Sequence, residues 1–165
     1  MLKKALAVTL MVGTTSALAA EAPIIGRVAP KCTIYVDTVG VYGNPTPDKL
    51  STATADGGVA PVVRYDVVNA DTYKAVITTP TEFSSSPTLV DTLAWTGSTS
   101  VTKMSDQNMA GYDAAKVEYD TTSEYNLTVA GSTWFTSQSV VEYGYGKSLP
   151  GGTYKAVVSA ECVAL

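Results

Sequence analysis

The chain is predicted to be an all-β domain closed by a disulfide, and three observations predict it. Apolar and polar residues alternate with period two through much of the chain, the spacing that puts one side of a strand inward. Turn residues interrupt that alternation roughly every 8–12 positions, which suggests a sandwich or barrel. No helix of ordinary length is visible. The segment Ser105 to Lys116 can form a turn or two behind Ser105 as N-cap, but Gly111 sits in its middle.

The 165 residues begin with Met-Leu-Lys-Lys, an apolar run from Ala5 to Val12, and Ala17-Leu18-Ala19. A basic start, an apolar stretch of that length and an A-x-A end read as a secretory signal peptide over residues 1–19. Gly13 to Ser16 interrupt the run too early for a membrane anchor, which needs roughly 20 apolar residues. Cleavage before Ala20 leaves 146 residues, enough for one domain that buries about two thirds of its extended surface. Losing Lys3 and Lys4 takes the formal charge from −4 to −6, which argues against nucleic acid and anionic membranes as partners.

Residues 20–30 form a short tail carrying Ile24, Ile25 and Val28, with Pro23 and Pro30 confining any ladder between them to about six residues. The first strand is expected at Lys31 to Val36, placing Cys32, Ile34 and Val36 on one face. Further strands are expected at 62–68, 73–78, 89–95, 100–104, 117–119, 125–129 and 139–143. Tyr42 to Pro47 and Ala55 to Pro61 read as breaks. The last strand, Thr153 to Val163, follows a Leu-Pro-Gly-Gly turn and puts Tyr154, Ala156, Val158, Ala160 and Cys162 on one face. The two cysteines therefore open the first strand and close the last, both in phase with apolar residues. In an exported protein they are expected to pair, through antiparallel neighbours.

Candidate chemistry is sparse. There is no histidine, so the usual general base is missing and a zinc site has almost nothing to build on. Gly146-Lys147-Ser148 lacks the upstream glycine and following helix of a phosphate loop. Asp106-x-Asn108 starts like a calcium loop, but Val117 stands where the bidentate glutamate belongs. Asn126-Leu127-Thr128 matches a glycosylation triplet, but the signal peptide is of bacterial type, which makes Asn126 a plain strand asparagine. Ten tyrosines and two tryptophans can build a sugar platform or fill the core. No catalytic, cofactor or metal residues are assigned, and the chain is not read as an enzyme.

Several segments resemble the major subunits of the alternative chaperone–usher fimbriae, the colonization factor antigen type. They are Val28 to Tyr35 (VAPKCTIY), Gly43 to Leu50 (GNPTPDKL), Asn69 to Ile77 (NADTYKAVI), Leu89-Val90-Asp91, and the distinctive end, Gly151 to Ser159 (GGTYKAVVS). The resemblance implies an immunoglobulin-like sandwich over residues 31–165 that lacks one strand, with residues 20–30 as the donor strand. It implies a structural shaft subunit polymerising head to tail through Ile24, Ile25 and Val28, with identical subunits, a periplasmic chaperone and an outer-membrane usher as partners. The destination is a cell-surface fimbria, with no cofactor. A bridge from first strand to last departs from the family, but the tail before Cys32 lies outside the closed loop. The alternative is a monomeric secreted β-sandwich module binding a carbohydrate or protein ligand.

Overall fold

The computed structural model describes residues 29, 31–144 and 147–165. The signal-peptide region and the tail residues Ile24, Ile25 and Val28 lie outside the described residues. Among the described residues, ten strands form two antiparallel sheets packed as a sandwich. One sheet contains β1 (Cys32–Thr38), β4 (Val62–Val67), β9 (Gly131–Tyr143), β3 (Lys49–Ser51) and β2 (Gly43–Thr46) in that order, with β6 (Leu93–Met104) also paired to β9. The other runs β10 (Ser159–Ala164), β5 (Tyr73–Thr78), β8 (Thr122–Asn126), β7 (Val117–Tyr119). The 13-residue β9 organises the first sheet: one edge serves β4 and then β3, and the other takes β6 along nearly its whole length.

Alternation decides which side chains meet between the sheets. Val63, Tyr65 and Val67 of β4, Ala75 and Ile77 of β5, Tyr125 of β8 and Phe135 of β9 are buried together. The Tyr65 and Tyr125 rings pack against Phe135 with centroids 5.4 and 4.6 Å away. The Tyr65 hydroxyl crosses to the second sheet and donates to the carbonyls of Glu161 (3.1 Å) and Val76 (3.3 Å). The expected helical turns are present as a 3-10 turn, Gln107–Met109, and a four-residue α1 (Tyr112–Ala115). They place Met109 and Tyr112 over the open end of the core. The cap is Asp106 rather than Ser105: its carboxylate accepts the Asn108 N–H at 2.8 Å, which accounts for the Asp-x-Asn pattern.

Expectations change at several strands, and β9 begins at Gly131 rather than at 139. The strands expected at 89–95 and 100–104 are one strand, β6. Its Gly97 is a close approach rather than a turn, since a Cβ there would lie 2.3 Å from the Thr79 hydroxyl oxygen. The strand expected at 125–129 sits at 122–126 because Asp120, at φ 51°, turns a tight hairpin from β7. The stretch 43–46, expected as a break, is an edge strand, which tolerates Pro45. Finally, the first and last strands are not neighbours in one sheet. β1 pairs only with β4 and β10 only with β5 among the described residues, and the Cys32–Cys162 disulfide staples the edge of one sheet to the edge of the other.

Candidate functional site

The expected closing strand is laddered only in its second half. Residues 159–164 pair with β5, whereas Thr153 to Val158 are extended without a ladder. Their alternation persists: Tyr154, Ala156 and Val158 are half-buried, while Thr153, Lys155 and Val157 are exposed. One edge of the segment is satisfied at a single point, where Lys155 and Ser85 exchange backbone bonds of 2.8 and 3.3 Å. The N–H and C=O groups of Tyr154 and Ala156 then face the opposite edge, and among the described residues no backbone group answers them.

Across from this segment lies the end of β1 and the turn after it, Val36 to Tyr42. Between the two runs is a groove of about 820 Å³. Val63 and Leu50 form part of its apolar floor, with Thr52 and Ser139 beside them. Its rim is aliphatic and open to water: Val36 is 70% exposed, Val39 75% and Val157 65%. Exposed valines beside unpaired strand edges are the pattern that soluble proteins normally cover. At one end of the groove Phe83 gathers Trp95, Tyr154 and Tyr42, with ring centroids 4.8, 5.0 and 6.4 Å away. The Tyr42 hydroxyl pairs with Ser139 at 3.1 Å, and burial pushes its pKa up.

Past the other end, the Cys32–Cys162 disulfide joins the strands that carry the two walls. A strand inserted between two others holds its neighbours about 9.5 Å apart. The Cα atoms of Cys32 and Cys162 are 6.4 Å apart, so no third strand fits between them at that level. The groove therefore opens only beyond Cys32, over lengths of about six residues on each wall.

The rest of the surface offers less. Tyr35, Arg64, Trp134 and Lys103 stand in one row across four strands. The Arg64 guanidinium lies 4.5 Å from the Tyr35 ring centre and 5.8 Å from that of Trp134, and the Lys103 ammonium lies 4.5 Å from the Trp134 ring. Cations thus cover the ring faces a sugar would need, and the row reads as cross-strand packing. Lys147 pairs with Asp91, whose carboxyl is held below its ordinary pKa by that bond. Among the described residues no group of His, Cys, Asp and Glu gathers as a metal would require, and no helix is long and apolar enough to cross a membrane.

Of the sequence-predicted site residues, Cys32 and Cys162 are brought together as expected. The groove walls were not singled out from sequence. The phase of Tyr154, Ala156 and Val158 was legible, but nothing in the residues says that their edge lacks a partner. Compared with protein-family models, curated proteins and solved structures, the chain matches none.

Proposed function

We propose that the chain is a structural shaft subunit of a bacterial surface fimbria, in which the tail of one copy fills the groove of the next as a donor strand. The observation that carries this reading is the groove itself: two runs of backbone face each other with an apolar floor and, among the described residues, no strand between them. An exposed sheet edge is completed by an added strand, whose backbone supplies affinity and whose alternate side chains supply specificity.

The tail of another copy fits that vacancy in length and character. Six residues, Ile24 to Ala29, lie between Pro23 and Pro30, and they span about 20 Å when extended. The opposing wall, Thr153 to Val158, has the same length. The subunit's own tail leaves at Lys31, beside the cystine that joins the strands carrying the two walls. To fill its own groove it must turn back past a point with no room for a strand. A second copy's tail has no such obstacle. Before assembly the open groove is an aggregation hazard, which is the role for a periplasmic chaperone, with an outer-membrane usher completing export.

The test compares the exported chain with a chain beginning at Lys31, which retains every described strand. The exported chain is expected to form head-to-tail oligomers on size-exclusion chromatography. The shortened chain is expected to stay monomeric and to gain melting temperature on addition of a peptide spanning residues 20–30. A shortened chain that is monomeric, fully stable and indifferent to the peptide would refute the proposal and favour a self-contained binding module.

A further inference from the structure

The two walls of the groove run on from edge strands, each laddered on one side only among the described residues. β1 is laddered to β4, and the second wall continues into β10, laddered to β5. Edge strands are the elements most easily drawn away from a sheet under load, because a single ladder resists them. The Cys32–Cys162 bridge joins these two strands across a sequence separation of 130. One of its ends lies next to Lys31, where the tail joins the domain. The other lies in β10, four residues beyond the end of the second wall at Val158.

These positions matter if subunits are linked head to tail, and the inference rests on that reading. Tension enters each subunit through its tail at Lys31 and leaves through the strand seated in its groove. The first wall follows Cys32 directly along β1, so load reaches it through a few residues. The second wall lies at the far end of the chain. Without a bridge, load reaches it through the β10–β5 ladder, the Lys155–Ser85 backbone pair and the packing between the sheets. With the bridge, load passes through one covalent bond to Cys162 and a short run of backbone.

We infer that the Cys32–Cys162 disulfide is a mechanical clamp, carrying filament tension from the tail past the folded domain to the second wall of the groove. Two consequences follow. The chain between the cysteines cannot be drawn out by a pull from the tail, and the groove cannot be parted at its cystine end while its donor strand is under load.

Single-molecule force spectroscopy on the exported chain tests this. One handle is fused ahead of the tail, and the other is attached through an unnatural residue replacing the exposed Val157. The oxidised protein is expected to release less than about 3 nm beyond extension of the tail before a handle fails, since only a few residues lie outside the bridge on this path. The Cys32→Ser/Cys162→Ser variant is expected to open at a lower force and release more than about 40 nm, because most of the 130-residue separation becomes extensible. If the double variant does not fold, wild-type protein pulled with and without reductant gives the same comparison. If bridge-free and oxidised protein bear the same force with no earlier opening, the ladder and core carry the load and the clamp is refuted. The measurement uses a single subunit, so it is separate from peptide binding: failure of the residue 20–30 peptide to bind overturns the proposed function, and equal mechanical strength overturns this inference.

Discussion

Replacing both cysteines with serine should lower stability by about 3–5 kcal/mol. The bridge closes a sequence separation of 130, and the chain-entropy relation gives about 5 kcal/mol for a loop of that size. A compact denatured ensemble reduces that value, because part of the restriction is already present without the bond. Whole domains are stable by only about 5–15 kcal/mol, so the loss is a large share of the total. The effect arises mainly in the unfolded chain, so near-ultraviolet circular dichroism of the folded variant should stay close to wild type. Urea unfolding followed by tryptophan fluorescence is suitable because Trp95 and Trp134 both sit in packed clusters. With a slope of about 1.5 kcal/mol per molar urea, the midpoint should fall by about 2–3 M. A loss below about 1 kcal/mol would refute the reasoning, because it would mean that linking the two edge strands barely restricts the unfolded chain.

Three further outcomes follow from particular contacts. Val158→Asp puts a charge against the core cluster and should cost at least about 2 kcal/mol, whereas Lys155→Asp on the exposed side should be near neutral; thermal melts of both report it, and equal tolerance would reverse the assignment of faces. Gly97→Ala places a methyl group 2.3 Å from the Thr79 hydroxyl oxygen and should cost about 1–3 kcal/mol by overpacking, read from chemical denaturation. Burial raises the pKa values of Tyr65, Tyr125 and Tyr42, with Asp113 adding to the rise at Tyr125. A raised folded-state pKa means stability is intact below the unfolded tyrosine value of about 10 and declines as pH rises beyond it. Late tyrosinate absorbance should therefore appear together with loss of circular dichroism, and full titration near pH 10 with the fold intact would contradict this.

The strands that were legible are those whose inward face is apolar. β4 and β5 alternate cleanly, with Val63, Tyr65 and Val67 in the first and Ala75 and Ile77 in the second facing the core. β9 hid its first half because two of the three buried inward positions there, on either side of Phe135, are Thr133 and Ser137. Their hydroxyls fill a polar part of the interior, so hydropathy gives no alternation to read. Gly97 broke the pattern of β6 for a packing reason that only the partner Thr79 reveals. The cystine was legible from strand phase, because both cysteines do lie on inward faces. Phase does not specify which sheet a strand joins, so the pairing of first and last strands was misassigned. The groove was hidden for the same reason: it is a property of an edge left without a neighbour, and the residues of Thr153 to Val158 would look the same inside a complete sheet.

Amide hydrogen exchange of the chain beginning at Lys31, with and without the peptide spanning residues 20–30, reads out whether the tail seats in the groove. The peptide is expected to slow exchange at Tyr154, Ala156 and Val158 and along the free edge of β1 from Val36 onward, while leaving the β5–β8 ladder unchanged. Unaltered exchange in both walls under saturating peptide, or slowing confined to some other part of the surface, would contradict the proposed seating.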